Sequence, residues 1–331
     1  MLKKYLSNLI AIPSLFLYLY RCYQQQKAYL KESILLDLEE AKQQAGDNLT
    51  ENDIHKITFY YGLVIPLMGE ILSGLKGVRI TSSERKTLTY LGGLTGLFDD
   101  LFDEKDTPEA HIKELLNNPT VELSRNVHEK LIVQFYLKAL EQEHSIRIKE
   151  KAKLVYEAQI LSKKQTSDNL SVEEILHITQ QKGGASILLF RSALAGNINA
   201  LEEELIFNIG VMTQLENDFF DIYKDYQNRI HTLATVSKSM HSLRSEYQSI
   251  VNNIYRLTEQ TDFPKRNKVK FSRLIAILST RGLVCLDQLI EIQEGETFEI
   301  SSYSRTQLIC DMEKLKNISK WIRYYLRWNI Q

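Results

Sequence analysis

The segment LEEELIFNIGVM, residues 201–212, repeats apolar side chains at intervals of three and four residues. This spacing places those side chains on one face of an α-helix, where they can be buried together. The same spacing recurs along most of the chain, for example in residues 154–161 and 308–326. Period-two alternation bounded by hairpin turns, which is typical of strands, is absent from the sequence. The pattern therefore predicts an all-α protein.

Turn and capping residues between the periodic segments set the approximate ends of the helices. The predicted helices cover residues 3–46, 52–75, 83–104, 108–117, 121–146, 148–165, 171–195, 200–227, 237–260, 268–292 and 303–328. The 331-residue chain has only 14 Gly and 5 Pro, and neither a low-complexity linker nor a repeat of fixed period divides it. We therefore expect one large helical domain over residues 1–331, with the helix in residues 1–46 packed on the bundle.

Composition limits the class of partner. The formal net charge is −1, 25% of the residues are charged, and no basic stripe with interleaved aromatic residues occurs. These are the properties of an ordinary globular protein, so we do not expect nucleic acid as a partner. The three cysteines are odd in number and far apart, which indicates a reducing compartment and hence a cytoplasmic protein.

The N-terminal segment places two lysines before an apolar run at residues 9–20. Pro13 and Ser14 interrupt this run, no small-residue cleavage site follows it, and it is too short to span a bilayer. The favoured interpretation is the first buried helix of the bundle. Peripheral contact of this helix with a membrane surface is the alternative.

The segment NDFFDIYKD, residues 217–225, combines acidic and aromatic side chains. Asn217, Asp221 and Asp225 are spaced i, i+4 and i+8, so a helix aligns them on one face. Carboxylate and amide oxygens are ligands that Mg²⁺ prefers, and Lys224 beside them can meet a phosphate oxygen. The pattern predicts a metal site, and a solvated acidic helix face is the alternative interpretation.

A second acidic group lies in TYLGGLTGLFDDLFDEKD, residues 89–106. Here Asp99, Asp100 and Asp103 interrupt a run of apolar residues that is typical of a buried helix. Three carboxylates so close together repel one another unless a cation or protons intervene. Facing helices of a bundle can build metal sites from such side chains. We therefore expect the two acidic segments to hold two or three Mg²⁺ ions that bind a diphosphate.

These residues carry a family resemblance. Asp99-Asp100-x-x-Asp103 resembles the aspartate-rich motif of the class I isoprenoid synthases. The later segment is similar to N-D-x-x-S-x-x-K-E, the second metal motif of terpene synthases, with Asp221 in place of Ser and Asp225 in place of Glu. The order of the motifs and their separation of 118 residues (217 minus 99) are also similar. Residues 214–221 resemble, in addition, the F-Q-x-x-D-D-x-x-D motif of trans-prenyltransferases.

The resemblance implies further site residues. Lys182, in a K-G-G sequence, is similar to a substrate-binding lysine of prenyltransferases, and Arg191 lies where a diphosphate-sensing arginine is found. The pair Arg323-Tyr324 resembles the R-Y pair that closes terpene synthase sites on the diphosphate. Together with Lys224, these residues are expected to bind a prenyl diphosphate. The implied activity is Mg²⁺-dependent ionisation of one allylic prenyl diphosphate to a carbocation, which becomes a linear or cyclic terpene. Homodimers are common in the superfamily that the chain resembles, while the sequence leaves the oligomeric state open.

Three alternatives stay open at this point. A chain-elongating trans-prenyltransferase shares the metal ligands but joins isopentenyl diphosphate to the allylic substrate. A di-iron bundle would use E-x-x-H pairs, which occur at Glu141/His144 and Glu174/His177. A non-catalytic helical scaffold is the third.

Overall fold

The computed structural model describes residues 2–45, 49–103, 107–293 and 295–328; within these, the side chains of residues 2–4, 44, 45, 60 and 103 lie outside the description. The prediction of an all-α protein is confirmed, since the described residues contain helices and no strand. The α-helices are α1 Leu2–Glu32, α2 Ile34–Ala45, α3 Glu51–His55, α4 Gly62–Lys76, α5 Ser82–Asp103, α6 Glu109–Asn117, α7 Val127–Leu140, α8 Ser145–Ser162, α9 Val172–Ser192, α10 Ala200–Phe220, α11 Ile222–Gln227, α12 Leu233–Val236, α13 Met240–Gln260, α14 Lys265–Ile292, α15 Arg305–Leu308 and α16 Leu315–Arg327. A π-helical turn spans Lys56–Tyr61, and short 3-10 turns span Val121–Leu123, Lys163–Thr166 and Ile300–Ser302.

Several predicted helices are interrupted, among them 52–75 and 200–227, and three further breaks have identifiable local causes. The helix expected at 3–46 breaks at Ser33, whose hydroxyl donates to the Tyr29 carbonyl at 2.7 Å and so competes with the backbone ladder. The one expected at 121–146 begins only at α7, where the Asn126 side chain caps the helix. The one expected at 303–328 breaks around Asp311, whose carboxylate accepts from a backbone N–H two residues on.

Pro66 inside α4 removes one backbone donor, so the helix needs another partner for the carbonyl four residues earlier. Gln26 of α1 supplies it, since its Nε2 donates to the Gly62 carbonyl at 2.8 Å. The π-helical turn directly before Gly62 adjusts the helix at the same place. A Cβ at Gly92 of α5 would lie 2.6 Å from the backbone oxygen of Tyr61, so this glycine permits the close approach of the π-helical turn to α5.

Two compact units make up the chain. The first unit comprises Met1–Pro13, Leu161–Leu188 and Ile198–Gln331, and the second unit comprises Ser14–Ile160 and Leu189–Asn197. In the first unit α10 packs against α13 and α14, and its core includes Ile209, Leu215 and Phe219. In the second unit α5 packs against α4 and α7 around Leu91 and Phe135. The expectation of a single domain over residues 1–331 stays a prediction.

Candidate acidic site on α10 and α11

The segment 217–225 forms a helix with a break in its middle. Helix α10 ends at Phe220, Asp221 has φ −93° and ψ 6°, and α11 begins at Ile222. Backbone hydrogen bonds continue through the break, from the Asp221 amide to the Asn217 carbonyl at 2.8 Å and from the Asp225 amide to the Asp221 carbonyl at 2.9 Å. The helical order of the side chains is therefore kept from α10 into α11.

The buried side of this segment differs from the predicted one. Asn217 is exposed, whereas Asp218 is 3% and Asp225 is 9% exposed. Residues 218, 221 and 225 are spaced i, i+3 and i+7, which is also a spacing of one helix face. That face lies beside the core stripe of Leu215 and Phe219, and Asn217 lies on the far side. Asp218 therefore takes the position among the carboxylates that the sequence assigned to Asn217.

Asp218 is the most deeply buried member of this acidic cluster, which we define as Asp218, Asp221 and Asp225. Its Oδ1 accepts a hydrogen bond from Gln214 Nε2 at 2.8 Å, while its Oδ2 is buried with no hydrogen-bond partner in the described part of the chain. Burial raises the pKa of Asp218 to about 7; the charges of Asp225 and Asp221 add to this, and Gln214 and Lys182 oppose it. The site thus holds a buried carboxylate of which only one oxygen has a hydrogen-bond partner among the described residues.

The other two members lie closer to solvent. Burial and then the charge of Asp221 raise the pKa of Asp225 to about 6, while Lys224 and Lys182 lower it. The side chain of Asp221 is 38% exposed, and its Oδ2 lies 3.9 Å from Nζ of Lys224. Lys224 itself is 71% exposed, so this contact is a loose one at the rim of the cluster.

Close packing of α9 on α10 brings Lys182 to the cluster. A Cβ added to Gly183 would lie 2.2 Å from the Gly210 carbonyl oxygen, and one added to Gly210 would lie 2.2 Å from that of Gly183. The two backbones therefore touch at this crossing, directly beside Lys182 and one turn before Gln214. The half-buried Lys182 is close enough to lower the pKa of both Asp218 and Asp225.

The first acidic motif lies in the second unit, at the C-terminal end of α5. Asp99 is half-buried and accepts a hydrogen bond from Gln159 Nε2. Both carboxylate oxygens of Asp100 lie 3.2 Å from Nζ of Lys56. The side chain of Asp103 lies outside the described part of the structure. Other side chains of the protein therefore already bond to carboxylate oxygens of Asp99 and Asp100.

Arg191 is 3% exposed and lies in the second unit. Its guanidinium donates to the carbonyl of Leu194 at 3.0 Å and to that of Gly196 at 3.2 Å. These carbonyls belong to the turn that follows α9, and a positive charge at the C-terminal end of a helix is also favourable. The structure therefore gives Arg191 the role of holding the turn after α9.

Arg323 and Tyr324, near the C-terminal end of α16, lie in different environments. Arg323 is exposed, whereas the Tyr324 hydroxyl donates to Asp287 Oδ2 at 2.6 Å and accepts from Arg244 at 2.8 Å. Burial and the hydrogen bond to Asp287 raise the pKa of Tyr324. Tyr324 thus joins α13, α14 and α16 within the first unit through a polar network.

The E-x-x-H pairs lie at the surface. Glu141 is exposed and His144 lies in a turn with φ 75°, so this pair is not on a helix. Glu174 is exposed and its carboxylate accepts from the Ser171 amide at 2.8 Å, and His177 is exposed as well. This placement does not support the di-iron alternative.

Of the predicted residues, the structure brings Lys182, Lys224, Asp221 and Asp225 together in the first unit. Sequence reasoning omitted Asp218 from the metal ligands, although the i, i+4 pair Gln214/Asp218 marks the face that is buried. Within residues 2–45, 49–103, 107–293 and 295–328, there is no group of three or more His, Cys, Asp or Glu side chains that could hold a metal ion as the side chains are placed. Comparison of the chain with family models, curated proteins and solved structures finds no match.

Proposed function

We propose that this chain is a Mg²⁺-dependent terpene synthase of the class I isoprenoid synthase type, acting on an allylic prenyl diphosphate. The observation that carries the proposal is the buried Oδ2 of Asp218, which lies in an acidic cluster beside Lys182 and to which none of the described residues donates a hydrogen bond. Leaving a buried polar atom unpaired costs about 1–3 kcal/mol, and more for a charged group. A bound cation would give this oxygen a partner.

The chemistry of the donors supports a hard divalent cation. Asp218, Asp221 and Asp225 offer only carboxylate oxygens, which Mg²⁺ prefers while keeping several waters and sharing its remaining positions with phosphate. A bound cation would also offset the burial and the mutual repulsion that raise the pKa of Asp218 and Asp225. Lys182 and Lys224 add positive charge beside the same carboxylates, which suits a ligand with several anionic oxygens such as a diphosphate.

Each side chain has a proposed task. When bound, Mg²⁺ supplies positive charge that stabilises the departing diphosphate. Half-buried Lys182 donates to a phosphate oxygen from within the fold, and exposed Lys224 does so from the rim. The apolar residues around the cluster keep water away from the carbocation that ionisation leaves.

The remaining residues are assigned by their motifs. Asp99, Asp100 and Asp103 are proposed as the aspartate-rich metal ligands, for which Lys56 must release Asp100. Arg191, Arg323 and Tyr324 are proposed to contact the diphosphate. For Tyr324 this contact replaces its hydrogen bond to Asp287, and for Arg191 it replaces the hydrogen bonds to the carbonyls that follow α9.

The test is diphosphate release in the presence of Mg²⁺ from geranyl, farnesyl, geranylgeranyl and longer prenyl diphosphates, with products identified by mass spectrometry. We expect a hydrocarbon or alcohol from one allylic substrate alone. Asp218→Asn and Asp225→Asn are expected to lower kcat/KM by at least about a hundredfold, as the loss of charge stabilisation commonly does. Asp262→Asn, an exposed site in the same unit, serves as the matched control. Absence of diphosphate release from every substrate by folded protein overturns the proposal.

A chain-elongating trans-prenyltransferase is the second candidate. It is favoured by the hydrogen bond from Gln214 to Asp218, because these two residues fall in the Q-x-x-x-D positions of the transferase motif. Repeating each reaction with isopentenyl diphosphate separates the candidates. A longer prenyl diphosphate formed only with that second substrate assigns the transferase.

A further inference from the structure

The N-terminal helix α1 has two apolar faces, of which one is buried. Ala11, Leu15, Cys22 and Leu30 are 7% exposed or less. At 100° per residue the opposite side of the helix carries exposed apolar side chains. These form the apolar face of α1, defined as Leu6, Leu9, Ile10, Phe16, Leu17 and Tyr20. Ile10 is 77% and Phe16 is 69% exposed, which is unusual for adjacent turns of one helix.

Hydrogen bonds hold the other side of α1 in place. Asn8 Nδ2 donates to the Trp328 carbonyl at 2.9 Å, and Tyr18 donates to the Glu70 carbonyl at 3.0 Å. Gln26 is 1% exposed and donates to the Gly62 carbonyl and to Thr89. The rotation of α1 about its axis is therefore set by directional bonds, which keep the apolar face toward solvent.

The charged side chains of this segment are all basic. Residues 1–31 contain five cations, Lys3, Lys4, Arg21, Lys27 and Lys31, and no Asp or Glu, although the whole chain has a net charge of −1. Arg21, Lys27 and Lys31 are exposed. These three cations lie on the C-terminal side of the apolar face along α1. Apolar side chains combined with exposed cations on one helix are typical of segments that lie in the interface of an anionic bilayer.

The dimensions suit a helix that lies along a membrane. Residues 6–20 of the helix extend about 21 Å at 1.5 Å per residue. Among the described residues, the helical segment Glu51–Lys76 is long and apolar enough to cross a bilayer, but 65% of its apolar window is buried inside the protein. Helix α1 does not meet that criterion.

We propose that the apolar face of α1, with Arg21, Lys27 and Lys31, is a docking surface for a bilayer that contains anionic lipids. The apolar side chains enter the boundary between headgroups and acyl chains, and the cations meet lipid phosphates. This inference does not depend on the proposed catalytic function, because vesicle binding is measured without turnover.

The experiment is flotation of the full-length protein with vesicles of phosphatidylcholine alone and of phosphatidylcholine mixed with phosphatidylglycerol. We expect stronger binding to the mixed vesicles. The double variant Ile10→Glu/Phe16→Glu is expected to lower the partition coefficient by roughly a hundredfold or more, since each side chain buried in the membrane accounts for about tenfold. Ile146→Glu/Leu315→Glu is the matched control, because Ile146 is 73% and Leu315 is 83% exposed elsewhere on the protein.

The cations are tested separately. Lys27→Gln/Lys31→Gln is expected to weaken binding to the anionic vesicles by about fivefold per residue. The paired control is Lys113→Gln/Lys149→Gln, both exposed. Equal binding of the wild type and of Ile10→Glu/Phe16→Glu overturns the proposal. A dimer in light scattering that the same variant dissociates, with no vesicle binding by the wild type, also overturns it and assigns the face to self-association.

Discussion

Replacing Asp218 with asparagine removes a negative charge from the interior and keeps the shape of the side chain. The amide oxygen of the new side chain can still accept the hydrogen bond that Gln214 donates to Oδ1 of the aspartate. The variant therefore isolates the free energy of holding an ionised carboxylate at a position that is 3% exposed.

The expected change in the free energy of unfolding follows from the pKa of Asp218, which burial raises from 3.8 to about 7. The folded state then holds its proton more tightly than the unfolded state, so the free energy of unfolding decreases as the pH rises from about 4 to about 7. A difference of roughly three in the pKa corresponds to about 4 kcal/mol. In the absence of metal, Asp218→Asn is expected to remove that decrease and to be more stable than the wild type at about pH 8.

Urea unfolding with a chelator, at a series of pH values from about 5 to about 8, measures this difference. Mg²⁺ is expected to restore stability to the wild type at the upper pH, by about 1.4 kcal/mol for each tenfold excess over its dissociation constant, and to have little effect on the variant. Asp262→Asn controls for the loss of one charge at an exposed position. If the wild type and Asp218→Asn differ by the same amount at every pH, the site does not bury an ionisable carboxylate and the reasoning fails.

Three further changes test the packing and the polar networks. Gly210→Ala places a Cβ 2.2 Å from the Gly183 carbonyl oxygen and is expected to lower the free energy of unfolding by about 1–3 kcal/mol. In the control Gly74→Ala the nearest atom lies 3.7 Å from the new Cβ, so the free energy of unfolding is expected to stay the same or to rise. Urea unfolding of both variants measures the difference. Glu129 is fully buried, and although burial acts to raise its pKa, hydrogen bonds from an arginine and a histidine lower it. Its contribution to stability is present above about pH 4.5 and is lost as the pH falls through the lowered value, so Glu129→Gln is expected to be about 2 kcal/mol less stable near neutral pH and to show a flatter acid limb in a pH series. Tyr324→Phe removes two hydrogen bonds and is expected to lower the melting temperature at a cost of about 1–2 kcal/mol; an unchanged melting temperature would show that the network of Tyr324 does not stabilise the fold.

The positions of the helices could be read from the sequence because helical periodicity is a local property. The spacing of Leu205, Ile209 and Met212 places them on one side of α10 whatever packs against it, and all three are buried. The breaks at Ser33 and before α7 depend on single side-chain hydrogen bonds to the backbone, which compete with periodicity and are not visible in it.

The sequence by itself determined that carboxylates at 217–225 recur with helical spacing and that a lysine stands beside them. Two interleaved faces satisfy that spacing, one containing Asn217 and the other Asp218, so the local pattern cannot choose between them. Packing of α10 buries Asp218 and exposes Asn217, and the contact of Gly183 with Gly210 brings Lys182 to the same side. The tertiary structure alone decides these features, because desolvation and charge proximity, which raise the pKa of Asp218 to about 7, arise only when separate helices exclude water from one another.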